Sequence, residues 1–290
     1  MVKRGETTDR AWERIAPLLP EHGRPGGRWR DHRGVVNGIL WKLRTASPWR
    51  DLPERYGPWQ TCYDRFVRWR RDGTWDRLLA HAQTKSDAVG GVEWEVSVDS
   101  TVVRAHQHAA GARHRPSGRD SKGGVEHTHD EALGRGRGGF STKLHLACDA
   151  RGRPLSLLVT AGQRNEAPEL GALLDGIRVA RPDGAPGRPR KRPHRLLADR
   201  GYAHDSCRKL LRRRGIPHVI PERRDQKERR KRRGGRPPLF DAEAYRGRNV
   251  VERCVNRLKQ WRGVATRYEK RACNYRATVV IVSLMVWLSS

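Results

Sequence analysis

The pattern of apolar positions changes near residue 88. Before that point they recur at helical spacing. "TTDRAWERIAPLLP" opens on Thr and Asp, carries Trp12, Ile15, Leu18 and Leu19, and stops at a proline. "HRGVVNGILWKLRTASPW" places Val36, Leu40 and Leu43 on one helical face. Ser47-Pro48 opens a short predicted helix, and Gly57-Pro58 turns the chain into a longer one that ends before Gly73. On the longer helix Trp59, Cys62, Phe66 and Trp69 form an inward stripe, which leaves Gln60, Thr61, Asp64, Arg65 and Arg68 to project. A short helix, a turn and a second helix with free polar and basic side chains outline a DNA-binding helix-turn-helix. A small helical bundle with a solvated basic face has the same pattern.

After residue 88 the period shortens. "VEWEVSVDSTVVRA" alternates like a strand and carries Asp99 near its end. Residues 104–139 have no apolar period and many Gly, His and Arg, so they are predicted to form a long loop. "FSTKLHLACDARGRPLSLLVTAG" is a hairpin around the turn Asp149–Pro154, and "APELGALLDGIRVA" is an amphipathic helix. "PHRLLADRGYAHDSCRKLLRRRG" follows as strand, turn and helix, with Asp199 at the strand's end, and "IPHVIPER" is a short strand. The segment 223–238 holds nine basic and two acidic residues between Arg223 and Arg236. Such a run is a solvated, mobile segment, and in a DNA-binding protein it is also a phosphate-contacting arm. A helix then begins near Asp241, and "TVVIVSLMVWLSS" closes the chain. Its apolar run of about ten residues falls short of the roughly 20 that span a bilayer, which makes it a buried core element.

This order predicts an all-α helix-turn-helix domain over 1–87 and an α/β domain over 88–290, a mixed sheet flanked by helices. Charge narrows the function. Lys and Arg number 61 against 32 for Asp and Glu, a formal net charge of +29. A surplus of that size points to a polyanionic partner, with nucleic acid first. The five cysteines are widely separated and form neither a CxxC metal site nor a disulfide framework, in keeping with a reducing compartment. With no signal peptide in the opening residues, a soluble cytoplasmic protein is expected.

Against this basic background the acids stand out. On a regular helix over 245–259, Tyr245, Arg248, Glu252, Asn256 and Lys259 fall in one stripe about 80° wide, opposite Val251, Cys254, Leu258 and Trp261. Taken alone, Arg248 and Glu252 form a surface pair worth about 0.3–0.5 kcal/mol. Asp99 and Asp199, however, each sit at or just past the end of an apolar strand, where α/β sheets place their ligand crevices. If Asp99, Asp199 and Glu252 converge, they are three hard oxygen donors without cysteine neighbours, suited to Mg2+ or Mn2+. Two such ions can activate a water or a 3′-hydroxyl for phosphodiester chemistry. The histidines of the long loop, His106, His108, His114, His127 and His129, allow a zinc site in principle, but a loop lying over the active site near phosphates suits them better.

The chain resembles insertion-sequence DDE transposases of the insertion-sequence-five-like group. The resemblance rests on "GRWRDHRGVVNGILWKLRTASPWRDLPERYGPWQT" near the N-terminus and on the signature Y-x2-R-x3-E-x6-K, present as Tyr245, Arg248, Glu252 and Lys259. It implies a ribonuclease H-like core in which Asp99, Asp199 and Glu252 are the catalytic, metal-binding acids for two Mg2+ or Mn2+ ions. It also implies that Tyr245, Arg248 and Lys259 contact the DNA end. Asn256 shares their stripe, and from the helix-turn-helix pattern Gln60, Thr61, Arg65 and Arg68 are the expected N-terminal contacts. The implied partners are double-stranded DNA, as terminal inverted repeats and target, and a second copy of the chain in the synaptic complex. A nuclease without strand transfer and a non-catalytic DNA-binding regulator are the alternatives. The stretch from Asp199 to Glu252 is too short for the large inserted domain that some relatives carry.

Overall fold

A computed structural model describes residues 6–21, 29, 31–110, 131–136, 138–182 and 185–289. Four helices come first: α1 (Asp9–Ile15), α2 (His32–Thr45), α3 (Trp59–Arg71) and α4 (Thr74–Ala88). Thr8 caps α1 by accepting from the Ala11 N–H, and Asp31 caps α2 by accepting from the Gly34 N–H. The short helix predicted after Ser47 is instead two single 3-10 turns, Trp49–Asp51 and Glu54–Tyr56. Prolines at 48, 53 and 58 each remove a backbone donor and hold the preceding residue extended, so no α-helix can propagate there. The first arm of the expected helix-turn-helix is therefore not an α-helix.

The sheet has seven strands: β1 (Glu95–Ala105), β2 (Gly134–Gly136), β3 (Gly139–Cys148), β4 (Pro154–Ala161), β5 (Arg195–Ala198), β6 (His218–Val219) and β7 (Thr266–Arg267). β1 lies in the middle. One of its edges pairs antiparallel with β3, from Ser97↔Cys148 to Arg104↔Ser141. The other edge pairs in parallel with β5 through Val98↔Ala198 and then with β7 from Arg104↔Thr266. β3 carries β4 and β2 on its far side, and β6 lies parallel beyond β5. The mixed sheet expected of a ribonuclease H-like core is therefore present, flanked by helices.

Those helices are α5 (Gln107–Ala110), α6 (Glu166–Asp175), α7 (Asp205–Arg213), α8 (Arg224–Arg232), α9 (Ala242–Arg246), α10 (Asn249–Lys259), α11 (Arg262–Ala265) and α12 (Ala272–Leu288). Three expectations change here. Residues 104–139 are not loop throughout, since β1, α5 and β2 take part of them; His114, His127 and His129 lie outside the described residues. The basic segment contains α8, an exposed helix anchored by Gln226, whose amide donates to the Ala203 carbonyl at 2.7 Å, and by Arg230, which bonds both Glu222 oxygens. The helix predicted over 245–259 is divided at Gly247, where i→i+3 bonds tighten the chain between α9 and α10. The backbone runs close to the sheet at that point: a Cβ on Gly247 would stand 3.5 Å from Glu95 Oε1 and 3.7 Å from a Leu197 methyl.

The C-terminal apolar run forms α12, which is buried along most of its length and packs against α4, α3 and β4. Among the described residues no helix is long and apolar enough to cross a membrane. The buried apolar cluster runs unbroken from Ala11 to Leu288, so the N-terminal helices and the sheet share one core. The β3–β4 turn sits at this junction. Asp149, fully buried, accepts from the Arg151 and Arg153 N–H groups and from the Arg153 guanidinium, which also bonds Ser86 and the Gly91 carbonyl and lies over the Trp287 ring.

Candidate active site

β5 ends at Ala198 and β7 begins opposite Arg104, so one edge of β1 is left without a strand partner over Asp99–Val103. At about 3.3 Å per residue this is a notch roughly 16 Å long. The sequence placed Asp99 near the end of its strand; it lies instead in mid-strand, at the point where the parallel neighbour stops. Because Val98 is paired with Ala198, Asp99 and Asp199 are consecutive in register, side by side at the mouth of the notch. Asp199 turns the chain there, its Oδ1 accepting from the Gly201 N–H at 2.8 Å.

α10 closes the notch from one face of the sheet. Its buried side, Val250, Val251, Cys254 and Leu258, fixes the helix on β1 and β3. Arg248, just before α10, donates from Nη2 to Asp99 Oδ2 at 2.7 Å and from Nη1 to Glu252 Oε1 at 2.9 Å. Lys259, at the far end, donates to Thr101 Oγ1 at 2.7 Å, and burial lowers its pKa. The Asp99 carboxyl is held above the usual range, first by burial and then by Asp199 and Glu252; Arg248 and the Ser100 N–H oppose the shift without cancelling it. Arg248 is shifted upward, because its partners Asp99 and Glu252 outweigh its own desolvation.

Tyr245 stands one i→i+3 turn before Arg248, on the other side of the division at Gly247. It sits on α9, its ring 5.3 Å from that of Phe240, and lines a pocket of about 600 Å³ with Asp199, Glu222, Lys227, Arg230 and Phe240. Asn256 is exposed on α10.

A fourth acid borders the same notch, and nothing in the sequence singled it out. Glu166, the first residue of α6, accepts on Oε1 from Ser100 Oγ at 2.9 Å and from Lys143 Nζ at 2.7 Å. Burial raises its pKa, but Lys143, its own N–H and Ser100 bring it below the usual value. An acid in the first turn of a helix is commonplace on dipole grounds, so the residue carried no signal of its own.

The donors fit a divalent cation by chemistry and by two local features. The Tyr202 hydroxyl is buried among Asp99, Glu166 and Asp199 and has no hydrogen-bond partner among the described residues. A Cβ at Gly201 would fall 2.9 Å from Asp199 Oδ1 and 3.6 Å from Glu166 Oε2, so glycine keeps a small gap open between the two acids. As placed, the side chains do not form a ready-made shell: among the described residues no three acids, histidines or cysteines are close enough to hold one ion. The Arg248 guanidinium lies between Asp99 and Glu252, and Glu252, with 54% of its side chain exposed, must turn inward to join the aspartates.

Two family profiles match the chain: "Transposase DDE domain" over residues 90–287, and "Putative transposase of IS4/5 family" over residues 7–79. The chain belongs to the DDE transposase family. It is 42% identical over 113 residues to the uncharacterized protein y4sN of Sinorhizobium fredii (strain NBRC 101917 / NGR234), which covers 38% of this chain and 86% of that protein. It is 35% identical over 131 residues to a putative transposase for insertion sequence element IS402 of Burkholderia cepacia, covering 45% of this chain and 55% of that one. Among solved structures, the Mos1 transposase paired-end complex with left transposon end matches at 14% identity over 81% of this chain and 80% of that chain. The TM-score of that match is 0.26.

In the N-terminal part of this transposase, Gln60 and Arg68 are exposed on α3 and Thr61 is half-buried. Arg65 corrects the sequence reading that had it projecting. It is buried, its guanidinium carbon 3.8 Å from the Trp29 ring centroid and 5.2 Å from that of Trp69, with Nη1 2.8 Å from His32 Nδ1. Arg65 braces α3 against α2. Of the loop histidines within the described residues, His106 and His108 meet edge to face with ring centroids 4.5 Å apart, and the His106 ring lies 4.8 Å from that of Tyr268.

Proposed function

We propose that this DDE transposase hydrolyses the DNA strand at the ends of its element and then joins the freed 3′-hydroxyl to target DNA, with Asp99, Asp199 and Glu252 as its catalytic acids. The observation that supports this most is the register: Val98↔Ala198 sets the two aspartates side by side where β5 ends, and Arg248 links the first of them to Glu252. Asp99, Asp199 and Glu252 would hold two divalent ions, Mg2+ or Mn2+, which supply nucleophile activation and charge on the leaving oxygen. The residues around the notch orient the DNA. Arg248, released from the acids, and Lys259 present cations to the phosphate beside the scissile bond. Tyr245 and Asn256 contact the end from α9 and α10. The exposed residues of α8 and the Gln60, Thr61 and Arg68 face of α3 extend the contact along the duplex, drawn in by the +29 charge. Synapsis of two ends calls for at least two copies of the chain.

The test is a joining assay with precut terminal-repeat ends, a target plasmid and Mg2+. The wild-type chain cuts and joins. Glu252→Ala loses both while binding ends within about three-fold, because Glu252 lies on an exposed helix face. Cutting without joining in the wild type would assign a nuclease, and full cutting by the variant would reject the acid assignment.

A further inference from the structure

The acids from β1, the β5 turn and α10 all approach the notch from one face of the sheet or from within its plane. On β1, side chains alternate between faces. Asp99 and Thr101 point toward α10, where Arg248 and Lys259 bond them. Ser100 points the other way, and its hydroxyl bonds Glu166 on α6. Lys143 comes from the same side, paired in register with Val102, and holds the same Glu166 oxygen. Both bonds land on Oε1. The second oxygen, Oε2, is thereby set against the Asp199–Gly201 turn, across the gap that Gly201 keeps clear. The Tyr202 hydroxyl, almost completely buried and without a hydrogen-bond partner among the described residues, completes this side. A buried hydroxyl beside carboxylates and without a partner is costly unless an ion or its bound water completes its bonding.

From this arrangement we propose that Glu166 is a fourth carboxylate of the divalent-ion centre, entering from the opposite face of the sheet and aimed by Ser100 and Lys143. It lies across the Gly201 gap from Asp199, either on the ion directly or through a bound water that Tyr202 also reaches. Lys143 neutralises the charge that Glu166 brings, so a fourth acid can stand beside Asp99 and Asp199 without adding to their repulsion. The inference rests on the proposed use of Asp99 and Asp199 as ion ligands.

The experiment is a Mn2+ titration of the full chain without DNA, following the loss of the free-ion electron paramagnetic resonance signal. The wild-type chain should bind, Asp99→Asn should bind much more weakly, and Glu166→Gln should bind about ten-fold more weakly with a retained melting transition. Glu166→Asp keeps the charge and the ion pair but withdraws the oxygens by one methylene, and it should also lose affinity; it decides the matter if Glu166→Gln does not fold. A purely structural Glu166 would shift the melting temperature and leave Mn2+ affinity unchanged. Wild-type affinity in both Glu166 variants, with Asp99→Asn impaired, would overturn the inference alone. No effect of Asp99→Asn, or no Mn2+ binding by the wild type, would overturn the ion-centre reading and this inference with it.

Discussion

Asp149 and Arg153 hold each other at the β3–β4 turn, and Asp99 and Arg248 hold each other at the notch, with closest N–O contacts of 2.5 and 2.7 Å. At the turn both Asp149 oxygens are used, the guanidinium has further partners in Ser86 and Gly91, and no second acid is among its contacts. At the notch the aspartate is raised by burial and by two more acids, Arg248 is shared with Glu252, and its Nε is buried without a partner among the described residues. The first pair satisfies every group it buries, and its role is to fix the junction between helices and sheet. The second leaves acids in competition for one guanidinium, an arrangement that an incoming cation or phosphate can reorganise. Unequal satisfaction, at nearly equal distance, separates a brace from the candidate site.

Removing the acid from each pair tests this directly and should give the largest effect. Asp149→Ala leaves Arg153 buried without its counter-charge and should cost about 3–5 kcal/mol in urea unfolding, with joining per folded molecule unchanged. Asp99→Asn should cost no more than about 1 kcal/mol, since Arg248 keeps Glu252 and the repulsion from Asp199 is relieved, yet it should abolish joining. Equal losses of stability would erase the contrast.

A pH titration sharpens it. His145 is fully buried, opposite Ser100 in register and facing Thr160, Lys143 and Glu166; burial first, then Lys143, lowers its pKa from 6.5 to about 4. Between those values the unfolded chain binds a proton that the folded chain excludes, so stability falls as pH drops from about 6.5 toward about 4. The loss attributable to His145 is about 3 kcal/mol at most. Urea midpoints for the wild type and His145→Gln should converge at acid pH once the carboxylate contributions common to both are subtracted. Parallel curves would reject the assignment.

The smallest effect belongs to a pair in open solvent. Arg224 and Glu228, on the exposed face of α8, meet at 3.1 Å. Arg224→Ala should change stability by less than about 0.5 kcal/mol, while the slope of log affinity against log salt for DNA falls by about 0.9 if this arginine reaches a phosphate. An unchanged slope would place α8 outside the DNA path.

Much of the candidate site was legible in the chain because its acids depend on local pattern. Asp99 and Asp199 announce themselves in apolar strands, and Arg248 and Glu252 are one helical turn apart, a spacing that survives the break at Gly247. Tyr245 lies on the other side of that break, which the helix sequence did not show, since the close approach of Glu95 and Leu197 at Gly247 comes from the sheet. Arg65 was misread for a similar reason: its cover is Trp29, from another part of the chain. Glu166 was missed because its meaning lies in Ser100 and Lys143, which alternation places on its face of the sheet only once the register is known. The basic run also hid a helix, since Arg and Lys form helices well and the polar anchors at Ala203 and Glu222 are tertiary.

The wedging of α12 between α4 and the β4 strand has a mechanical consequence. Trp287 donates from Nε1 to the Pro154 carbonyl at 2.7 Å while Gln83 of α4 bonds that same carbonyl and the next, so three segments are riveted at one spot. If α3 carries the recognition surface proposed above, it is not a module on a leash. Seating the N-terminal helices on a duplex would then also set the orientation of the sheet that bears the acids, and the distance from bound repeat to cut phosphate would be a property of the core's own packing.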